Sequence, residues 1–92
     1  MRISVRVFGD LVHILGRRHN LVLNEGATVG SLTGRIAESA GLKRHGYLGH
    51  YRVSGGDLAI LVNGRNIDLL EGPGTVLRDG DEVVILPPAA GG

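Results

Sequence analysis

The last two residues, Gly91 and Gly92, are the part of this sequence best suited to chemistry, because they carry a terminal carboxyl on a stalk without side chains. At neutral pH such a carboxyl is an anion and therefore a poor electrophile. It must be activated before a nucleophile can attack it, and the chain contains no G-x-x-x-x-G-K-[ST] nucleotide-binding loop. We therefore expect the activating machinery to belong to a partner protein.

The residues before the diglycine set its reach. Pro87 and Pro88 cannot donate to a sheet ladder and favour an extended backbone, so they end the preceding strand. From Pro87 onward the chain can extend by at most about 20 Å, enough to enter a buried active site in another protein. The alternative is a frayed end, since 16 glycines in 92 residues give a chance Gly-Gly ending about 3% of the time.

Two other sets of side chains make weaker cases for chemistry. The histidines are His13, His19, His45 and His50. No two of them have the i, i+4 spacing of a helical zinc motif, which favours solvated or structural histidines over a metal site. Asp79, Asp81 and Glu82 resemble a catalytic carboxylate cluster, but the Asp79-Gly80 pair predicts a turn that explains them. The sequence therefore predicts no metal site and no stably bound cofactor.

Composition excludes several classes of partner. The net charge is +1, and the two short basic stretches, 17–19 and 43–45, are interpreted as solvated loops rather than phosphate sites. Phe8, Tyr47 and Tyr51 are the only aromatic residues, which argues against single-stranded nucleic acid. Neither the charge nor the hydropathy favours a membrane.

The chain contains no cysteine, which removes disulfides, thiolate metal sites and thiol nucleophiles. The opening residues alternate polar and apolar side chains and contain no signal-peptide hydrophobic block. The expected location is therefore the cytoplasm.

Hydrophobic periodicity predicts the elements that would position the tail. Alternation through Ile3, Val5 and Val7 indicates a first strand, and residues 21–23 indicate a second. Residues 9–20 are ambiguous and compatible with one helical turn that Gly16 would end. Thr28 is a good N-cap for a helix that carries apolar residues at helical spacing and that Gly41 would close.

The second half of the chain predicts further strands. Residues 58–62 form an apolar run, and Asn63-Gly64 after it is a strong hairpin signal to a short return strand, 65–68. Turns are predicted at 71–74 and at Asp79-Gly80. Residues 83–86 form an unbroken apolar run, which indicates a central strand buried on both faces.

The predicted fold class is α+β. A hairpin, a helical crossover and a last strand that returns to the sheet centre is the β-grasp, or ubiquitin-like, arrangement, with a mixed sheet of four to five strands and one main helix across one face. Residues 1–86 would form this single domain and 87–92 an extended tail. Residues 42–57 look like a polar, glycine-containing insertion.

Four stretches resemble the ubiquitin-like sulfur carriers, above all the small subunit of molybdopterin synthase, with the thiamine-pathway sulfur carrier and the small archaeal modifier proteins as relatives. They are the opening strand, "EGATVGSL" at 25–32, "LVNG" at 61–64 and "LRDGDEVVILPPAAGG" at 77–92. The resemblance covers the whole chain except 42–57, where this sequence is longer and richer in histidine and glycine than the family pattern.

The resemblance implies a two-stage use of the tail. An E1-like adenylyltransferase would adenylate the carboxyl of Gly92 with ATP, and sulfur would then replace AMP to give a thiocarboxylate. That thiocarboxylate would donate sulfur to a dithiolene precursor in a complex with the large subunit of molybdopterin synthase. Gly91 would form the narrow stalk, and Pro87, Pro88, Ala89 and Ala90 the extended lead into the partner's active site. The chain itself would be a donor subunit without a complete active site.

Other functions remain open. The chain could instead be a protein modifier joined through Gly92 to lysines of target proteins, or a sulfur carrier for thiamine synthesis or tRNA thiolation. A third hypothesis is an interaction module with an inert tail. Because the tail is chemically useless alone, the first two hypotheses predict an apolar patch beside it on which partners dock.

Overall fold

The computed structural model describes residues 1–44, 46–53 and 57–88. The strands are β1 (Arg2–Val7), β2 (Arg18–Val22), β3 (Tyr47–Leu48), β4 (Tyr51–Arg52), β5 (Ala59–Val62), β6 (Arg65–Asn66) and β7 (Glu82–Leu86). The helices are α1 (Val12–Leu15) and α2 (Val29–Ser39), with 3₁₀ turns at Gly9–Leu11, Ile67–Leu69 and Gly72–Gly74. None of the helices in these residues is long and apolar enough to cross a membrane.

Five strands form one mixed sheet in the order β2-β1-β7-β5-β6. The first hairpin pairs β1 and β2 antiparallel, and β7 returns beside β1 in parallel and beside β5 antiparallel. Helix α2 makes the crossover, and its apolar stripe of Val29, Leu32 and Ile36 is fully buried in the core. The predicted arrangement of hairpin, crossover and central last strand is therefore confirmed.

Local signals placed α2 correctly. The Thr28 hydroxyl accepts a hydrogen bond from the Ser31 amide at 3.2 Å, and the Ser31 hydroxyl accepts one from the Thr28 amide at 3.4 Å. These two bonds form a capping box that satisfies amides with no partner inside the helix. Gly41, with a φ of 75°, follows the last turn in the left-handed conformation that was predicted for it.

The predicted second strand, 21–23, was wrong at both ends. Strand β2 runs from Arg18 to Val22, because its whole length pairs with β1. Val22 lies opposite Arg2 at one end of the ladder, and Arg18 lies opposite Arg6 at the other. Its burial alternates between exposed and half-buried side chains, which is typical of an edge strand with one solvated face. Arginine at the start of such a strand leaves no apolar pattern from which the strand could have been recognised.

The prediction that β7 is buried on both faces was also wrong. Val83 and Ile85 are fully buried in the core, but Val84 and Leu86 on the opposite face are only half-buried. Strand β7 is central, as predicted, yet no second layer covers its outer face within the part of the chain that the structure describes. The apolar run at 83–86 therefore includes two residues, Val84 and Leu86, that lie on the open face of the sheet.

Residues 42–57 form structure of their own in their described part. Strands β3 and β4 make a small antiparallel hairpin, with Tyr47 opposite Arg52 and Leu48 opposite Tyr51. Leu48 is completely buried and belongs to the main core, so the hairpin is anchored to the domain.

Candidate functional site

The tail leaves the sheet where β7 ends, and we call Pro87 and Pro88 the tail exit. Strand β1 ends beside the tail exit, where the Phe8 amide donates a 3.1 Å hydrogen bond to the Ile85 carbonyl. Pro87 is half-buried and Pro88 is exposed. The other predicted site residues, Ala89, Ala90, Gly91 and Gly92, lie outside the described residues, so their roles stay predictions.

Gly9 sets the path of the chain at the tail exit. Its φ is 73°, in the left-handed region that favours glycine. A Cβ built on Gly9 would lie 3.0 Å from the Pro87 Cδ and closer still to the Cγ, so the proline ring occupies the space that a side chain would need. Sequence reasoning missed this contact, although a glycine directly after an apolar strand was a visible signal of a tight turn.

Replacing Gly9 with alanine is expected to displace Pro87 and to destabilise the domain. The positive φ alone costs an alanine about 1 to 2 kcal/mol. Gly41→Ala is the matched control, since Gly41 has a φ of 75° and nothing within 4 Å of a built Cβ. Thermal unfolding should therefore show a larger loss for Gly9→Ala than for Gly41→Ala. Equal losses in the two variants would mean that the Gly9–Pro87 contact has no energetic consequence.

An apolar patch lies beside the tail exit on the open face of the sheet. We define it as Ala59, Leu61, Val84 and Leu86, all of them half-buried. Ala59 lies opposite Leu86 and Leu61 opposite Val84, so the four side chains emerge from the same face of β5 and β7. Phe8, which is 42% exposed, extends the apolar surface near the end of β1. The predicted patch next to the tail is therefore confirmed.

The β3–β4 hairpin is tied to the segment that borders the tail exit. The Tyr51 hydroxyl donates a 2.9 Å hydrogen bond to the Asp10 carboxylate, which directly follows Gly9. This hydrogen bond raises the pKa of Tyr51, because a phenolate would face the Asp10 charge. The insertion therefore packs against the loop from which Gly9 contacts Pro87.

A second polar contact joins Arg52 of β4 to Asp57 at the end of the same insertion. Arg52 Nε lies 3.1 Å from the Asp57 carboxylate, which also accepts the Arg52 backbone amide at 3.0 Å. The side-chain hydrogen bond from Arg52 lowers the pKa of Asp57. Both groups are exposed to solvent, so the pair helps to define the shape of the hairpin and adds little stability.

The acidic residues that resembled a catalytic cluster serve the turn before β7. Asp79 accepts the Arg2 amide at 2.7 Å, and Asp81 accepts the Arg78 amide at 2.8 Å and the Asn63 side-chain amide at 2.9 Å. These bonds join the turn before β7 to the start of β1 and to the β5–β6 turn. They confirm the interpretation of these acidic residues as part of a turn rather than as a catalytic cluster. They lie at the start of β7, at the end of the strand away from the tail exit.

The predicted histidines are not brought together in the described part of the chain. His19 contacts the Leu15 carbonyl through Nε2, and His50 stacks on Tyr51 with ring centroids 4.0 Å apart. His45 lies outside the described residues. Among the residues described, no group of three histidine or acidic side chains could hold a metal ion.

Comparisons with known proteins give the family of this fold. The model of the ThiS family matches residues 5–92. Small archaeal modifier protein 3 of Haloferax volcanii is 30% identical over 104 aligned positions, which cover the whole of both chains. A protein of Archaeoglobus fulgidus described as a sulfur carrier is 42% identical over 66 residues, 72% of this chain and 67% of that protein.

Two solved structures share the fold and carry a related description. A Pyrococcus furiosus protein described as subunit 1 of molybdopterin converting factor is 27% identical, with a TM-score of 0.74 over 97% of this chain and 99% of the other. A complex of subunits 1 and 2 of the molybdopterin-converting factor from Helicobacter pylori contains a chain that is 28% identical, with a TM-score of 0.63 over the whole of both chains.

Proposed function

We propose that this chain, which belongs to the ThiS family of ubiquitin-like sulfur carriers, donates sulfur from a thiocarboxylate on Gly92 as the small subunit of a molybdopterin synthase. The observation that carries the proposal is the uncovered apolar patch immediately beside the tail exit. The open face of a sheet is normally polar, so an apolar patch on that face indicates a partner surface. The similarity to subunit 1 in a two-subunit complex supports a partner that docks there.

The chemistry proceeds in two substitutions, the first at the α-phosphorus of ATP and the second at the carboxyl carbon of Gly92. A carboxylate oxygen attacks the α-phosphorus of ATP in the adenylyltransferase, pyrophosphate leaves, and an acyl adenylate forms. A sulfur donor at the oxidation level of sulfide then attacks the carbonyl carbon. The C–S bond forms, the C–O bond to AMP breaks, and AMP leaves with the bridging oxygen. The product is the thiocarboxylate that the synthase consumes.

The chain contributes position rather than catalysis to these steps. Gly9 fixes the position of Pro87 at the start of the tail, and the apolar patch gives each partner a surface on which to dock. Six residues from Pro87 onward span at most about 20 Å, so the reacting carboxyl can lie deep inside the partner. Reaction then depends on holding that carbon within near-attack distance of its nucleophile.

The test is sulfur loading followed by sulfur transfer. The protein is incubated with its E1-like enzyme, ATP and a sulfur donor, and intact mass spectrometry is expected to show one oxygen replaced by sulfur. The loaded protein is then mixed with the large synthase subunit and the precursor. As sulfur is transferred and the dithiolene forms, the mass of the protein should fall back to that of the form with an unmodified carboxyl. Loading without transfer would contradict the molybdopterin assignment and leave the carrier function standing.

A second candidate function is protein modification through Gly92. The full-length similarity to a small archaeal modifier protein specifically favours it. In this function the adenylate, or a thioester made from it, is attacked by a lysine amine of a target, and an amide bond replaces the activated bond. Loading and conjugation share the first step, so one chain can perform both.

Conjugates formed by this chain are expected to be single attachments. Lys43 is the only lysine in the sequence and is exposed, so a polymer of the chain could grow only through Lys43 or the amino terminus. Lys43→Arg together with a blocked amino terminus should therefore remove any short polymer and keep the number of labelled target proteins unchanged on an immunoblot. Long polymers that persist in Lys43→Arg with a blocked amino terminus would contradict this prediction.

A further inference from the structure

A groove with basic walls borders the tail exit on the β1–β2 side and adjoins the apolar patch. Its volume is about 400 Å³. Arg6, Arg17, Arg18 and His13 provide its polar lining, and Phe8 and Gly9 form the side next to Pro87. Among the described residues, no carboxylate lines the groove. We call it the arginine groove.

The arginines of this groove repel one another within the fold. Arg6 and Arg18 lie directly opposite on β1 and β2, where like charges destabilise a strand pair. Within residues 1–44, 46–53 and 57–88 the only ion pair joins Arg52 and Asp57, at a different place. The charges of the groove are therefore not neutralised by acidic side chains of the described fold.

Two acidic residues border the groove, Asp10 and Glu82, and in the described residues neither forms an ion pair with its arginines. Asp10 follows the lining residue Gly9 and accepts the Tyr51 hydroxyl. Glu82 shares a neighbouring depression with Arg6 and Arg18, but it pairs with Ser4, two residues before Arg6 on β1. No ion pair joins Glu82 to either arginine in the described residues. An anion from outside the chain would remove the repulsion that the fold leaves in place.

The groove is continuous with the surface that was assigned to the partner. Arg6 lies beside Val84 in the β1–β7 register, so the arginine groove begins where the apolar patch ends. The Arg6 guanidinium lies 5.5 Å from the centroid of the Phe8 ring, which helps to hold it at this boundary. A protein that covers the patch and receives the tail therefore also meets the groove.

We propose that the arginine groove binds an acidic segment of the protein that activates the tail, an inference that rests on the proposed function. Guanidinium groups bind carboxylates through paired hydrogen bonds, so aspartate or glutamate side chains complement this lining. Opposite charges at such a rim steer association and fix the register of the partner on the tail. RNA is the weaker occupant, because the net charge is +1 and only three aromatic residues could stack on bases.

Charge reversal at Arg18 tests the proposal. Arg18→Glu places an opposite charge across from Arg6, so the fold is kept and the melting temperature should stay equal or rise. Arg78→Glu is the matched control, because Arg78 is exposed and precedes β7 at the end away from the tail exit. At low salt we expect KM for sulfur loading to rise about tenfold in Arg18→Glu, with kcat unchanged, and to stay at the wild-type value in Arg78→Glu. Raising the salt should reduce the difference, since it screens exposed charges.

Arg17→Glu provides a second variant outside any strand, and it should behave as Arg18→Glu does. If wild type and both groove variants load sulfur with equal KM at low salt, the groove proposal is wrong and the proposed function stands. If wild type forms no thiocarboxylate, the proposed function is wrong. In that case, calorimetric binding to the E1-like enzyme without ATP tests the groove proposal. Weaker binding of the groove variants than of wild type would support the proposal, and equal binding would overturn it. Groove variants that lose retention on immobilised RNA but bind the enzyme normally would also overturn it.

Discussion

Deletion of Gly92 is expected to abolish sulfur loading and to leave thermal unfolding unchanged. Every buried core residue of the described chain precedes Pro87, so loss of the last residue should change stability by no more than about 0.5 kcal/mol. Loading instead requires the carboxyl carbon at one position in the partner. An error of about 1 Å there can reduce the rate on the order of a hundredfold, and deletion of one residue moves the carbon by about 3.5 Å.

The measurement compares wild type, the Gly92 deletion and a variant with one alanine added after Gly92. All three should melt at the same temperature, and only wild type should gain the mass of a sulfur-for-oxygen exchange with the E1-like enzyme, ATP and a sulfur donor. All three proteins end in a free carboxyl, so failure of the two variants would show that the position of the carboxyl and the absence of a side chain matter. Equal loading of all three proteins would show that the diglycine is a frayed end.

Leu61→Asp is expected to impair loading by about thirtyfold through the loss of partner docking. Residues at the centre of an interface commonly contribute about 2 kcal/mol or more, which corresponds to this factor. Leu61 is half-buried on β5 and lies opposite Val84 in the apolar patch. A carboxylate there would be desolvated without a partner when another protein covers the patch.

Val22→Asp is the matched control for this prediction. Val22 is 65% exposed and pairs with Arg2 on the edge strand, at the end of the sheet away from the tail exit. The charge change is the same, so the two variants should differ in KM for loading although both remain folded by circular dichroism. A similar effect from both substitutions would remove the apolar patch from the docking surface. Val84→Thr, which keeps the shape of the side chain, should give an intermediate loss.

Features that depend on neighbouring residues were predictable from the sequence. Alternation identified β1, and Thr28 and Gly41 marked the two ends of the region that folds as α2. Asn63-Gly64 forms the predicted tight hairpin with φ values of 50° and 85°. In each case the structural preference depends on the local backbone conformation or on one nearby hydrogen bond. A few adjacent residues are therefore enough to predict the element.

Composition and the similarity of four short stretches also sufficed for the family and for the fold class, which the comparisons confirm. They indicated a carrier whose chemistry lies at its last residue. They did not separate the molybdopterin pathway from protein modification, because both uses share the same domain and the same activated carboxyl. The difference lies in the partner that receives the tail.

The tertiary structure alone decided which side chains border the tail exit. The sequence shows Val83 to Leu86 as one apolar run, but only the pairing of β7 between β1 and β5 reveals that Val84 and Leu86 face outward. Gly9 and Pro87 are 78 positions apart, and Arg6 and Arg18 become neighbours only through the register of β1 with β2. A side chain's period along a strand is two residues, so one step in register exchanges its buried and exposed faces. Register depends on contacts between distant residues, which is why the local pattern predicted most strands of the main sheet and could not predict which side chains face outward beside the tail exit.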